Sequence, residues 1–117
     1  MTFATVLCVE GRGTRFAACM ELNSGSFEVV AATNMLSALV ALKAIPRIAV
    51  VVISEEGGLI ESYVQSARRM EAIRPGMPKV VVGPLSDDER KQLPALNLSN
   101  ALSVSSLNNE LRRVVRR

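Results

Sequence analysis

The run Ile48 to Ile53, IAVVVI, offers no polar residue to either side of the strand it would form. A strand with one wet face alternates apolar and polar residues, because successive side chains point to opposite sides of the sheet. A strand apolar at both parities needs cover on both faces. An interior strand of a parallel sheet, with helices packed above and below, meets that need. The run then ends in Ser54, Glu55, Glu56, Gly57 and Gly58, so carboxylates and glycines gather where the strand stops.

Four further strands are predicted from shorter apolar runs: Thr5 to Val9, Phe27 to Ala31, Lys79 to Val82, and Ala101 to Val104. Helical patterns separate them. Thr14 can cap a helix holding Phe16, Ala17, Met20 and Leu22. Asn34 is a good N-cap for a second helix reaching Ala44, stopped before Pro46. Leu59 to Arg74 carries apolar residues at helical spacing, and Arg74-Pro75-Gly76-Met77-Pro78 ends it. Ser86 and Glu89 have capping-box spacing for a short helix closed by Pro94, and the last helix spans Ser106 to Arg117. Strand and helix thus alternate five times. Crossover helices imply an α/β fold with one five-stranded, doubly wound parallel sheet and helices on both faces, a flavodoxin-like three-layer sandwich. Ligands of such sheets bind at the C-terminal ends of the strands. Three of those ends are Glu10-Gly11, Ser54-Glu55-Glu56 and Gly83-Pro84.

Composition narrows the chemistry. The 117 residues suit one domain, spanning 1–117. Aromatic residues are only 3%, so aliphatic side chains must build the core. The chain has no histidine, which removes Ser-His and Cys-His nucleophile pairs and His-based proton transfer. Its only aspartates are the adjacent Asp87 and Asp88. Cys8 and Cys19 sit in apolar surroundings and read as core thiols rather than a disulfide or zinc ligands. No apolar run approaches the roughly 20 residues of a membrane span, and the N-terminus lacks a signal-peptide layout. A soluble, cytoplasmic protein that is not an enzyme is expected, with no cofactor and no bound metal.

Three segments, TVLCVEG, FEVVAATNMLSALVALKAIPRIAVVVI and ARRMEAIRPGMPKVVVGP, together resemble the response-regulator receiver domain family. The third is the most specific, with its basic helix running into R-P-x-x-P and a four-residue apolar strand. The resemblance covers nearly the whole chain and implies a bacterial two-component signalling or phosphorelay context. Receivers are phosphorylated on an aspartate at the end of strand three. An acidic pair after strand one holds Mg2+, and a Thr or Ser after strand four and a Lys after strand five contact the phosphoryl group.

Carried onto this chain, the acidic pair falls on Glu10 and Gly11, so one carboxylate remains. The acceptor falls on Val52, Ser54 or Glu55, depending on which landmark sets the count, and none is aspartate. The Thr/Ser position falls on Gly83 and the Lys position near Ser105; Lys43, Lys79 and Lys91 are all distant in sequence. The resemblance is therefore to a degenerate member, a pseudo-receiver.

The same residues admit competing readings. Glu10, Glu55 and Glu56 could bind a divalent cation, but glutamates at unknown separation specify no geometry, and solvated loop carboxylates are the expectation. Gly11-Arg12-Gly13 partly matches a nucleotide-binding loop, but its third glycine position is Phe16. The formal charge is +3, and LRRVVRR ends the chain. An amphipathic helix burying Leu107, Leu111 and Val114, with arginines in water, explains this without nucleic acid. In the second helix, Met35, Ala38, Leu39, Leu42 and Ile45 share the face expected against the sheet, whereas Leu36, Val40 and Ala44 form another apolar stripe. A monomer would expose that stripe, which would then serve a homodimer or a protein partner.

The expected function is phosphorylation-independent protein interaction in signal transduction. The alternatives are a phosphorelay receiver with an atypical acceptor and a nucleic-acid-associated regulator using the arginine-rich last helix. Neither nucleic acid nor membrane is an expected partner.

Overall fold

The computed structural model describes residues 4–10, 18, 21–22, 27–54, 63–83, 87–92, 94–101 and 103–115. Five strands, β1 (Thr5–Glu10), β2 (Glu28–Ala32), β3 (Ile48–Ser54), β4 (Lys79–Val82) and β5 (Leu98–Ala101), form one parallel sheet in the order β2-β1-β3-β4-β5. Residues 18 and 21–22 belong to a first helix, α1. It is followed by α2 (Met35–Ala44), α3 (Tyr63–Ile73), α4 (Asp87–Gln92) and α5 (Leu107–Val115). The strand order turns back at β1 and β3, so the crevice of a doubly wound sheet lies at their C-terminal ends.

Side-chain parity splits the core into two layers. Leu7, Val9, Val51, Ile53 and Val81 pack under α2 and α3, against Met35, Ala38, Leu42, Ala67 and Met70. Val6, Cys8, Val50, Val52 and Val80 point the other way, against Ala18 and Leu22 of α1 and Leu107, Leu111 and Val114 of α5. Apart from the exposed Ala49, the IAVVVI run is thus consumed by both layers, which is why it carries no polar alternation.

Local signals place most elements. Asn34 Oδ1 accepts the Ser37 N–H at 2.8 Å and starts α2 as expected. β4 begins at Lys79, after the RPGMP turn in which Gly76 takes φ +80°. Several strand ends differ from expectation. β1 and β3 run on to include Glu10 and Ser54, so the first polar residues remain in the ladder rather than in the loops. β5 is Leu98–Ala101, not Ala101–Val104. Asn97 adopts φ +53°, a left-handed turn that asparagine tolerates, and so starts the strand three residues earlier. An edge strand accommodates the half-exposed Ser99 and Asn100.

At the N-terminal end of the sheet, charged side chains fasten the loops. Arg74 donates to the carbonyls of Ile45 (3.4 Å), Pro46 (3.2 Å) and Ile48 (2.9 Å) and so clamps the turn between α2 and β3. Lys79 is fully buried and pairs with Glu71 at 2.6 Å while donating to the Met77 carbonyl at 2.8 Å. Glu71 also accepts the Gly76 N–H at 2.7 Å. The RPGMP segment is therefore held by side chains on both flanks.

Candidate functional site

The ladder places Glu10 beside Ser54, Ser54 beside Val82, and Val82 beside Ala101. These four residues form one level row across the C-terminal ends of β1, β3, β4 and β5. All share the parity of the layer under α1 and α5, where Val82 and Ala101 are core residues. A phosphoryl-transfer centre of the receiver kind would be built on this row and the loops beyond it.

Glu10 is only 1% exposed, and its Oε2 accepts the Ala18 N–H at 2.9 Å. It is therefore not the solvated loop carboxylate expected from sequence. Its position inside the ladder carries it under α1, where a carboxylate is retained by accepting a backbone donor. Gly11 lies outside the described residues. Ser54 is 4% exposed at the end of β3. Val52 lies two residues deeper, fully buried and paired in register with Cys8 and Val80. It is a core residue, not a strand-end position. Glu55 and Glu56 lie outside the described residues.

Gly83 follows β4 with φ +120°, a conformation that side chains of L-residues rarely adopt. Its N–H donates to the Ala101 carbonyl at 2.9 Å, and its own carbonyl accepts from Asn100 Nδ2 at 2.8 Å. A residue with a side chain would be strained in this conformation, so a hydroxyl residue at the expected position would need the turn to change. Sequence reasoning missed Asn100, whose amide also reaches the Val81 carbonyl at 3.1 Å and ties β5 to β4.

Ser105 is exposed in the 3-10 turn Val104–Ser106, further beyond the end of β5 than the position directly after the strand that was expected. Its Oγ lies 2.9 Å from Ser103 Oγ. The shift follows from the earlier start of β5. Lys79 stands at the opposite end of the sheet, level with Val51 and Leu98. Lys43 lies in the last turn of α2, and Lys91 is exposed on α4. Among the described residues, no group of three or more His, Cys, Asp or Glu side chains could hold a metal ion.

A second candidate surface lies on α2. Met35, Ala38 and Leu42 are buried, whereas Leu36 and Val40 are 72% and 60% exposed. Ala44 is exposed on the same stripe, so nothing among the described residues covers it. The last helix is amphipathic as its spacing predicts, with Leu107, Leu111 and Val114 buried and Arg112 and Arg113 exposed. Arg113 is paired with Glu110. Arg116 and Arg117 lie outside the described residues.

No family model and no curated protein matches the chain. Solved structures do. A CheY-like receiver domain protein from Methanospirillum hungatei JF-1 is 14% identical, with a TM-score of 0.79 over 98% of this chain and 95% of that one. A response regulator receiver protein from Pseudomonas putida is 22% identical, with a TM-score of 0.77 over 99% and 98% of the two chains. The chemotaxis protein CheY4 of Vibrio cholerae is 20% identical, with a TM-score of 0.77 over 97% and 99%. At these identities the likeness is one of architecture, and it agrees with the strand order and the two helical layers. The chain has the fold of response-regulator receiver domains.

Proposed function

We propose that this chain acts in signal transduction as a pseudo-receiver, a protein-interaction module that does not depend on phosphorylation and is not an enzyme. The observation that carries the reading is the row Glu10, Ser54, Val82 and Ala101. Phosphorylation of a carboxylate needs an accessible nucleophile, a hard cation on oxygen ligands and donors for the developing charge. The row offers a buried serine, two aliphatic residues, and a carboxylate bonded to the backbone of α1. Both aspartates of the chain lie on α4 and neither is a member of the row.

The contact surface in this reading is the exposed stripe Leu36, Val40 and Ala44, which meets either a protein partner or a second copy of the chain. A cytoplasmic location belongs to the same reading. No helix among the described residues is long and apolar enough to cross a membrane.

The test is incubation with acetyl phosphate and Mg2+, followed by intact mass measurement. The expected result is an unchanged mass. An adduct of one phosphoryl group would overturn phosphorylation independence and point to an atypical acceptor. Its loss in Glu55→Gln or in Ser54→Ala would say which.

A further inference from the structure

We propose that the α2 stripe receives an acidic amphipathic helix from a partner protein, its apolar face on Leu36, Val40 and Ala44 and its carboxylates toward Lys43 and Arg74. The inference rests on the reading of the chain as a contact module and names the chemistry of what it contacts.

The stripe follows the i, i+4, i+8 spacing of one helix face and spans about 12 Å, at about 1.5 Å per residue. Lys43, next to Ala44 in sequence, lines an open groove between the C-terminal turns of α2 and α3 together with Ala72 and Arg74. A helix laid along an exposed apolar ridge beside a groove is an established mode of recognition.

The charge around the stripe selects the partner. α2 contains no acidic residue. Lys43 and Arg74 meet no carboxylate among the described residues, and the acceptors of Arg74 are three backbone carbonyls, which leave its charge unneutralised. On the elements packed against α2, Glu28 of β2 is paired with Arg47 and Glu71 of α3 with Lys79. The apolar ridge is thus edged by positive charge, and a partner with flanking glutamates or aspartates complements it.

A second copy fits less well. An isologous pairing of α2 with itself repeats the same patch on both sides, so lysine edges face surfaces without acidic residues. The short stripe would also bury well under the roughly 1,200 Å² of a stable interface. Weak, reversible docking of a partner helix requires no more than this area.

The experiment titrates the 15N-labelled chain with a synthetic amphipathic peptide of about 18 residues. Leucines form one face and glutamates flank it; a control peptide replaces every glutamate by lysine. Saturable amide shifts are expected at 36–44 and 72–74 with the glutamate peptide only, weakening as salt is raised. Leu36→Glu and, separately, Lys43→Glu should each weaken binding at least about tenfold while far-UV circular dichroism stays unchanged. The exposed Lys43 variant keeps the test decisive if Leu36→Glu perturbs the fold. Absence of saturable shifts, equal binding of both peptides, or shifts centred elsewhere would overturn the proposal. So would a wild-type dimer in sedimentation that Leu36→Glu dissociates, because the occupant would then be a second copy. A phosphoryl adduct in the mass assay with peptide binding intact would defeat phosphorylation independence alone.

Discussion

At the N-terminal end of the sheet, Lys79 is fully buried against Glu71, and Arg74 spans three carbonyls of the α2–β3 turn. At the C-terminal end, Glu10 accepts a backbone N–H of α1, and its row neighbours are Ser54, Val82 and Ala101. Open α/β sheets carry ligand chemistry at their C-terminal ends. Among the described residues the clustered charged side chains lie at the other end, where they close loops. Buried ionisable groups often mark functional sites, but ion pairs that hold structure perturb titration in the same way. The contrast separates the two cases, because the Lys79 pair has an assignable structural task in fixing Met77 and Gly76 at the start of β4.

The largest expected effect comes from forcing charge into the C-terminal half. Val52→Asp would put a carboxylate among Cys8, Val80 and the α5 layer, where no cation stands in register beside it. Burying an unpaired charge costs on the order of 5 kcal/mol, comparable with the whole stability of a domain this size. Loss of cooperative unfolding in urea is the expected result. A folded, phosphorylatable Val52→Asp protein would erase the contrast, since the C-terminal half would then tolerate charge as the N-terminal end does.

A smaller loss is expected from the N-terminal end. Lys79→Ala removes a buried partner and leaves a cavity beside Glu71, at a cost of about 3 kcal/mol in urea unfolding. Lys79→Met combined with Glu71→Gln should recover most of it, since neither side chain is then an unpaired charge. The pair also has a pH signature. Hydrogen bonding to Lys79, followed by that to the Gly76 N–H, holds the Glu71 carboxyl below its ordinary range. The folded state therefore stays charged where the unfolded chain already binds protons. The contribution of the pair is complete above the ordinary glutamate value of about 4.3 and fades as pH falls from there toward the folded value. Stability curves of wild type and the double variant should converge in that acidic window. Curves that stay parallel would show that the pair contributes nothing through charge.

Much of this architecture is legible in the amino-acid order, and the exceptions share a physical cause. Central strands and α2 announce themselves because burial on both faces, or a cap such as Asn34, is a local property. β5 does not, because an edge strand tolerates Ser99 and Asn100, and the apolar letters after Ala101 draw the expectation downstream. Asn97 was the available signal, as asparagine favours the left-handed turn that precedes the strand. The condition of Glu10 was hidden for a different reason. A carboxylate at a strand end reads as solvated, and its acceptor role depends on Ala18, brought near only by the β1–α1 crossover. Gly83 read as a lost hydroxyl, whereas its positive φ gives it a backbone task of its own.

The smallest expected effect tests whether Glu10 is structural or a remnant of cation binding. In Glu10→Gln the side-chain oxygen can still accept the Ala18 N–H, so the loss should stay within about 1 kcal/mol. Glu10→Ala leaves that buried donor without its acceptor and should cost about 1–3 kcal/mol. The order Gln above Ala is what a hydrogen-bond acceptor predicts. A cation ligand predicts something else, since a ligand that binds only the native state must raise stability as its concentration rises. Millimolar Mg2+ should therefore leave the Tm of wild type and Glu10→Gln alike. If Mg2+ raised the wild-type Tm and Glu10→Gln abolished the rise, the C-terminal end would hold working chemistry after all, and the contrast between the two ends of the sheet would narrow to one of accessibility.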